Sequence, residues 1–366
     1  MRTISIVADG QKTMCVETPM THSTLSTVAP FRNLQPGRKA AVDPAPVHPA
    51  IGRRTGETLR AINDPLVPTI FHSRWWLEAA TDGAFDEIEV RSAERVVARM
   101  PFVTKTRHRS FRTGGMPQLT HFLGPAVDAG RGMIVNRRLK QFDLVQALLE
   151  KLPALDSFDQ RMHRGIEDTL AFEEAGFSSR ADFTYEIWPQ SVDVIWRQMR
   201  DKTRNVIRRA EERFEVGEWN DPEGFAAFYE INLRSLGQRN RYSRIAQVCA
   251  AAIARDQGRI LVARDPARRL QAGIFTVWDN EAAYHLLATR TPSSDNSVIS
   301  LLVWNALRHA VQHGRIFDFD GIGSPGNRLF FNGFGGRITP RFVVARSSMK
   351  YRVVRKAVGL ILPNAE

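Results

Sequence analysis

Two aspartates late in the sequence are the strongest candidates for proton transfer. Asp318 and Asp320 lie in a short apolar segment that we predict to be a strand, in which residues i and i+2 point to the same face. Two carboxylates close together raise the pKa of one of them, which suits a general base. Because Gly321 follows Asp320, we place Asp320 at the open end of the strand and favour it as the base; a structural aspartate that binds loop amides is the alternative.

His285 and Tyr284 are the next candidates, on a predicted strand earlier in the chain. Neighbouring strand residues point to opposite faces, so we expect one of these two side chains to face a cleft. A histidine can accept a proton near neutral pH, which suits proton transfer. A histidine held in the core or at the surface without a catalytic role is the alternative.

A polar loop before a predicted helix is a candidate site for phosphate groups. Its residues are Ser293, Ser294, Asn296 and Ser297. Free N–H groups at a helix N-terminus attract a pyrophosphate, and nearby hydroxyls add further donors. Asp295 is an acid at the position where such an anion would bind, so an ordinary helix cap is the alternative.

Three further groups of residues are candidate substrate contacts. The first lies in a basic loop, the second on a predicted basic helix, and the third in a glycine-rich segment. Arginine binds phosphate and carboxylate groups through two parallel hydrogen bonds. An ordinary basic surface and a tight closure of the sheet are the alternatives. The groups are Arg107, Arg109 and Arg112; Lys202, Arg204 and Arg208; and Arg328, Asn332 and Phe334.

Two histidines, His309 and His313, have the i, i+4 spacing of a zinc-binding pair on a helix. No glutamate follows the first of them, and no third ligand is evident in the sequence. We therefore predict no metal site.

Composition places the chain among globular proteins and limits its partners. Hydrophobic residues make up 43% and charged residues 25% of the chain, which is enough apolar content for packed cores. The net charge of +12 favours anionic partners without distinguishing nucleic acid, membranes and phosphorylated ligands. No signal peptide or apolar run of membrane-spanning length is visible, and two cysteines fit a reducing compartment. We therefore expect a cytoplasmic protein.

The predicted elements follow the same order in two halves of the chain. Each half has a meander of strands, then a helix, then a short strand, which is typical of an α+β fold with helices on the faces of a sheet. The first half has strands at 87–90 and 96–104, a helix at 137–152 and a strand at 158–163; the second has strands at 259–263, 270–278 and 281–289, a helix at 296–313 and a strand at 316–319.

This order suggests two domains after a leader. We expect a proline-rich, flexible leader over residues 1–66, an N-terminal domain over 67–182 and a C-terminal domain over 183–366. The C-terminal domain carries a helical insert at about 191–257.

The insert begins with a predicted amphipathic helix over 192–214, capped by Ser191. Asp221 and Ser243 are predicted to cap the two helices that follow. At the other end of the domain, the basic tail at 349–358 should pack as a terminal helix or strand. Contact of this tail with an anionic membrane surface, at the inner face of a membrane, is the alternative.

Three segments resemble one branch of the GNAT acyltransferase superfamily. Residues 314–322 read GRIFDFDGI and residues 330–336 read FFNGFGG, similar to the G-x-x-x-F/Y-D-F/L-x-G and F-K-x-x-F-G-G motifs of the FemAB-like and BioF2-like branch. Residues 199–210, MRDKTRNVIRRA, look like the basic R-x-x-I-R-x-A helix of that branch. The resemblance implies tandem GNAT-like domains, each with a mixed, mostly antiparallel sheet flanked by helices.

The resemblance also implies an N-acyltransferase. Members of the branch move an acyl group to an amine, some from acyl-CoA to sugars in envelope or exopolysaccharide synthesis, others from aminoacyl-tRNA in peptidoglycan synthesis. We expect acetyl-CoA or another acyl-CoA as the donor. The expected acceptor is a small-molecule or lipid-linked amino sugar.

Two other functions compete with this one. Aminoacyl-tRNA-dependent transfer would use the positive charge, but Asn332 replaces the lysine of the branch motif, and the long helical hairpin of many such enzymes is not evident. The other competitor is a non-catalytic module that binds anionic ligands. The acidic Asp295 favours it, because an acid at the helix N-terminus suggests that the site for the donor phosphates has been lost. Apart from tRNA in the first alternative, we expect no nucleic-acid partner, because no recognition motif with interleaved aromatics is found.

Overall fold

The computed structural model describes residues 64–108, 110–240, 242–321 and 325–361. The leader predicted for residues 1–66 lies almost entirely outside these ranges, and so does Arg109, one of the predicted substrate contacts. Among the described residues, no helix combines the length and the apolar character that a bilayer crossing requires.

The first half of the described chain forms a meander, a helix and a strand parallel to the end of the meander. A short 3-10 helix at Ile70–His72 is followed by α1 (Arg74–Thr81), β1 (Asp86–Ser92), β2 (Arg95–Arg107), β3 (Phe111–Gly115), β4 (Ala126–Val127), α2 (Ile134–Glu150), β5 (Ser157–Arg161), α3 (Leu170–Glu174) and β6 (Ser178–Ile187). β3 and β5 run parallel. The predicted long helix and the strand after it are confirmed as α2 and β5.

The second half repeats this order after a group of helices. Its elements are α4 (Val192–Gln198), α5 (Asp201–Glu211), β7 (Glu215–Glu218), α6 (Pro222–Ser235), α7 (Ile245–Ile253), β8 (Gly258–Arg264), β9 (Leu270–Trp278), β10 (Ala282–Arg290), α8 (Ser297–Gln312), β11 (Ile316–Asp318), α9 (Pro325–Asn332), β12 (Arg337–Ser347) and α10 (Met349–Ile361). β10 and β11 run parallel, as β3 and β5 do. The predicted α+β class, with a mixed sheet flanked by helices, is confirmed.

The two halves exchange their last strands. β6 follows the first half but pairs with β11 of the second, and β12 ends the second half but pairs with β5 of the first. Because β6 and β12 also pair with each other, the described strands form one sheet in the order β1-β2-β3-β5-β12-β6-β11-β10-β9-β8-β7, with β4 beside β2. The predicted division between residues 182 and 183 falls inside β6 and stays a prediction.

Strands β8 and β9 are buried on both faces, which places helices on each side of them. Ile260 and Val262 point towards α1, α6 and α7, whereas Leu261 and Ala263 point towards α5 and α8. A third hydrophobic cluster lies beneath α2 and α3 and includes Val344 of β12. Packing on both faces therefore fixes β8 and β9 in the core of the second half.

The prediction of a single helix over 192–214 is wrong. Met199 and Arg200 are extended, and they separate α4 from α5. The guanidinium of Arg204 binds the carbonyl oxygens of Arg197 and Met199 at 2.8 and 3.0 Å, which satisfies groups left open where α4 ends. A side chain predicted to bind substrate is thus engaged with the backbone of its own chain.

Two of the three predicted helix caps are confirmed. The side chains of Ser191 and Asp221 each accept a hydrogen bond from the backbone amide three residues later. Ser243 is not the cap of α7, because Arg244 holds that position and the Ser243 hydroxyl binds Gln118 instead. The basic tail forms the terminal helix α10, as predicted.

Candidate active site

β11 ends in a tight turn that separates the two candidate aspartates. Asp318 is the last residue of the strand and is fully buried. Its Oδ1 accepts hydrogen bonds from the Thr184 hydroxyl at 2.6 Å and from the amide of Asp320 at 3.0 Å. Asp320 and Gly321 then adopt positive φ values of 58° and 69°, a conformation that costs an aspartate energy and clusters at functional sites. The prediction that both aspartates share one face of a strand is therefore wrong.

Asp318 belongs to a buried cluster of four charged side chains. Arg341 contacts Glu186 and lies 3.4 Å from Asp318. Arg164 lies 3.5 Å from Asp318 and 3.7 Å from Glu186. The two positive and two negative charges offset one another, as buried ions require. This environment suits a structural carboxylate rather than a proton acceptor.

Asp320 has different surroundings, because it lies between an imidazole and a guanidinium. Its Oδ2 is 2.7 Å from Nε2 of His121, and its Oδ1 is 3.5 Å from a nitrogen of Arg161. The Asp320 side chain is 25% exposed, so that a substrate can reach it. When Nε2 of a neutral His121 donates to Asp320, Nδ1 is left as an acceptor, and it has no hydrogen-bond partner among the described residues.

Sequence analysis missed both partners of Asp320. His121 lies in the irregular segment between β3 and β4, which has no periodic pattern, and Arg161 is the last residue of β5. No spacing rule connects either of them with a carboxylate in the second half of the chain. Only the order of strands in the sheet brings the ends of β5 and β11 to the same region.

Two cavities open beside Asp320. The His121 cavity has a volume of about 710 Å³ and is lined by residues 117–122 and 181–184 with Arg161 and Arg341. The α8 cavity has a volume of about 770 Å³ and is lined by residues of α6, β10, α8 and α9. Leu286 and Asp320 line both cavities. Asp320 therefore stands where a molecule in one cavity would meet a molecule in the other.

Of the pair His285 and Tyr284, His285 faces a cleft. It lines the α8 cavity, and burial lowers its pKa to about 4, with a further lowering by His121 and an opposing effect of Asp320. The hydroxyl of Tyr284 donates to Asp279 at 2.9 Å, and burial raises the pKa of Tyr284 well above its ordinary value. Tyr284 is a core residue that lines neither cavity at Asp320, so the structure does not support its predicted catalytic role.

Buried histidines should make the fold less stable in mild acid. Burial lowers the pKa of His163 and of His285 to about 4, against about 6.5 in an unfolded chain. Between these values the unfolded state binds more protons, so the free energy of unfolding falls as the pH drops from 6.5 towards 4. Going from pH 7 to pH 5 should remove about 2 kcal/mol for each of the two. Urea unfolding followed by circular dichroism measures this, and an unchanged free energy at pH 5 would contradict it.

The start of α8 is partly occupied by side chains of the protein itself. Asp295 accepts a hydrogen bond from the amide of Ser297 at 2.8 Å and lies 3.2 Å from Arg213. Asn296 lines the α8 cavity, and its side-chain oxygen accepts a hydrogen bond from Arg290 at 3.0 Å. Asn296 is the cap residue of α8 without a capping hydrogen bond from its side chain, and Asp295 binds the first amide of the helix; phosphate binding here stays a prediction.

The two serines before this cap face elsewhere. The hydroxyl of Ser294 donates to Gln271 at 2.6 Å, and the hydroxyl of Ser293 lies 3.1 Å from that of Thr291. Both hydroxyls stabilise the loop that leads into α8. Of the four residues predicted to contact the donor, Asn296 is the one that the α8 cavity includes.

Arg107 lines a third cavity, separate from those at Asp320. This cavity has a volume of about 410 Å³, and Lys105, His108 and Arg355 also line it. Arg112, on β3, is not among its lining residues. The predicted basic loop therefore contributes Arg107 to a cavity, but that cavity does not include Asp320.

The basic residues of α5 lie outside both cavities at Asp320. Arg204 binds backbone carbonyls, as described above, and the guanidinium of Arg208 lies 5.5 Å from the centre of the Trp196 ring. Lys202 is exposed. The structure does not bring these three side chains together with the other candidate residues.

The glycine-rich segment closes the sheet, which was the alternative to ligand binding. Phe334 is 1% exposed and belongs to the core, so the structure does not support its predicted contact with substrate. A Cβ at Gly335 would lie 2.8 Å from the carbonyl oxygen of Gln198, so this position needs glycine for close packing on α4. Arg328 and Asn332 are exposed on α9 and do not line the α8 cavity.

His309 and His313 are in ring contact, with centroids 4.3 Å apart. Burial lowers the pKa of His309 to about 4. Within the ranges that the structure describes, no three His, Cys, Asp or Glu side chains gather as a metal site.

Comparison with known proteins connects this arrangement with acyl transfer. Residues 197–327 match the family described as acetyltransferase (GNAT) domain. The crystal structure of FemX is similar over 79% of this chain and 94% of its own, with 12% identity and a TM-score of 0.57. The C-terminal domain of a putative lysylphosphatidylglycerol synthetase from Agrobacterium fabrum is similar over 78% of this chain and 96% of its own, with 13% identity and a TM-score of 0.52. A search of curated protein sequences finds no match. Residues 197–327 therefore match a GNAT acetyltransferase domain, and the chain shares its fold with FemX.

Proposed function

We propose that this protein is an acyltransferase that moves an acyl group from acyl-CoA to a primary amine, with Asp320 at the point of transfer. One observation carries the proposal: two cavities meet at a partly exposed carboxylate that is held by His121 and Arg161. Sites for small molecules and cofactors have volumes of about 300–1,000 Å³. The volumes of about 710 and 770 Å³ fall in this range, so each cavity can hold one reactant.

The α8 cavity is the proposed donor site. It adjoins the N-terminus of α8, the positive end of the helix dipole, which favours a pyrophosphate. Arg290 adds a cation to the cavity wall, and Leu286 and Ile299 add apolar surface for an acyl chain. The negative charge of Asp295 at the same helix end is offset by its ion pair with Arg213.

The His121 cavity is the proposed acceptor site. Asp182 and Asp320 both line it, and their carboxylates attract a protonated amine. Arg161 lies 3.6 Å from Asp182 and 3.5 Å from Asp320, and it can bind a phosphate or carboxylate of the acceptor. This mixture of charges suits an amino sugar, free or carried on a lipid, better than an apolar amine.

Asp320 is the proposed proton acceptor. The bound ammonium first gives one proton to Asp320, and the free amine nitrogen then attacks the thioester carbonyl. The C–N bond forms, the C–S bond breaks, and the leaving sulfur takes the second proton of the nitrogen, so CoA leaves as its thiol. Asp320 takes the proton that the nitrogen releases, while His121 and Arg161 keep its carboxylate oriented. His285 is neutral at pH 7 because of its lowered pKa, and an N–H of its ring can stabilise the carbonyl oxygen as charge develops there.

Aminoacyl-tRNA is the second candidate donor. The net charge of +12 favours a polyanion, and the carboxylate of Asp295 at the start of α8 disfavours a pyrophosphate at that helix end. The GNAT family match supports an enzyme over the non-catalytic binding module.

Calorimetric titration with acetyl-CoA and longer acyl-CoAs tests the donor. We expect binding that is retained in Asp320→Ala and weakened by roughly tenfold or more in Ala288→Trp. Ala288 is exposed and lines the α8 cavity, so an indole there fills the cavity without disturbing the core. Ile231→Trp is the matched control, since Ile231 is exposed on α6 and does not line the cavity. If no acyl-CoA binds but aminoacyl-tRNA shifts the protein in a gel, the acyl-CoA donor is wrong.

A further inference from the structure

The N-terminal part of α2 and the residues before it are not packed against the rest of the protein. All ten residues from 131 to 140 are exposed. Four of them are large and apolar: Met133 is 70%, Ile134 54%, Val135 69% and Leu139 63% exposed. Isolated exposed apolar residues are ordinary on a soluble protein, but a group within two helical turns marks an interaction surface. We call residues 131–140 the α2 tip.

The α2 tip is also strongly basic. Arg131, Arg137, Arg138 and Lys140 lie in it, and no acidic residue occurs from 129 to 142. Arg138 pairs with Glu167, and both side chains are largely exposed. The remaining three cations have no ion pair with another described residue. The tip therefore presents apolar and cationic side chains together.

The remainder of α2 holds the tip firmly to the protein. Val145 and Leu148 are buried in the cluster beneath α2, and Phe142 packs against that cluster. Residues 134–140 span about 10 Å of helix. Amphipathic helices insert about 5–10 Å into the boundary between headgroups and acyl chains. The anchored part of α2 thus holds the tip at the protein surface, where its apolar side chains can enter the headgroup boundary.

We propose that the α2 tip docks this protein on an anionic lipid surface, with its apolar side chains inserted between headgroups and its cations on the lipid phosphates. The charge of the α2 tip indicates which partner binds it. A second copy of a chain with a net charge of +12 would be repelled from this basic surface. A nucleic acid would pair with the cations but would leave the four apolar side chains in water. The proposal does not depend on which donor or acceptor the active site takes.

Co-sedimentation with lipid vesicles tests the docking surface. The affinity of the full chain should be higher by roughly tenfold or more for vesicles that contain phosphatidylglycerol than for vesicles of pure phosphatidylcholine. Added salt should weaken the binding. The triple variant Ile134→Gln/Val135→Gln/Leu139→Gln should bind the phosphatidylglycerol vesicles with an affinity lower by roughly tenfold or more. The double variant Arg137→Gln/Lys140→Gln should lose the preference for the anionic lipid. Ile231→Gln, an exposed apolar change on α6, is the matched control and should bind as the unchanged chain does.

Circular dichroism and melting temperatures check that each variant folds, which the exposure of every substituted residue favours. Absence of binding to anionic vesicles overturns the proposal. So does a triple variant that binds as well as the unchanged chain. If light scattering instead shows a dimer that the triple variant abolishes, the tip is an interface between copies and the lipid proposal is wrong.

Discussion

Replacing Asp320 with asparagine should lower kcat by about 10³-fold while the affinity for the donor stays the same, since a positioned general base contributes roughly 10²–10⁴-fold. Asparagine has almost the same volume, and its oxygen can still accept the hydrogen bond that Nε2 of His121 offers at 2.7 Å. What it loses is the ability to take a proton from the acceptor amine. Donor binding is expected to persist because the α8 cavity keeps its other lining residues.

Steady-state kinetics with the donor in excess, together with calorimetry of donor binding, separates these two effects. Glu167→Gln removes a carboxylate of similar chemistry from an exposed ion pair with Arg138, and it serves as the control with unchanged kcat. A kcat for Asp320→Asn within threefold of the unchanged chain would show that the proton goes elsewhere. His285, which also lines the α8 cavity, would then be the next residue to test.

Replacing Arg341 with methionine should lower the free energy of unfolding by about 3–5 kcal/mol, because it leaves two buried carboxylates to share the single charge of Arg164. Arg341 is 6% exposed, contacts Glu186 and lies 3.4 Å from Asp318. Its guanidinium also lies 5.3 Å from the centre of the Phe122 ring. Methionine keeps much of the apolar stem but removes the charge, so the loss reports on the ionic cluster rather than on volume.

Urea unfolding of two further variants identifies the cause of the loss in unfolding free energy. Arg138→Met removes an arginine from an exposed ion pair and should lower the free energy of unfolding by less than about 1 kcal/mol. The double variant Arg341→Met/Glu186→Gln removes one positive and one negative charge, so it should recover part of the stability that the single variant loses. If the double variant is less stable than either single variant, charge imbalance is not the reason.

The second half of the chain was largely predictable because its signals are local. The strands β8, β9 and β10 are apolar runs with a short connection between each pair, and Gly314 follows the helix that packs on them. The same local rules failed at Met199 and Arg200, where the amphipathic pattern continues through a break in the helix. The break depends on contacts with Gly333 and Gly335, which lie far along the chain.

The candidate site was predictable only in part, for the same physical reason. Asp320 and His285 were found because each lies on or beside a strand of the meander-helix-strand order. His121 and Arg161 were missed because their contact with Asp320 depends on which strands are neighbours in the sheet. Pairing between distant segments leaves no periodicity in either segment, and β12 in particular pairs with strands from the other half.

The exchange of β6 and β12 also sets the order in which the protein can be completed during synthesis. When the first half has left the ribosome, the edges of β5 and β6 that β12 will occupy are still without a partner. Unpaired strand edges associate readily with other chains. They remain open until residues 337–347 have been made. The nascent chain therefore depends on its last strand to complete the sheet, and the half-made protein is the species most exposed to aggregation and to the protection of chaperones.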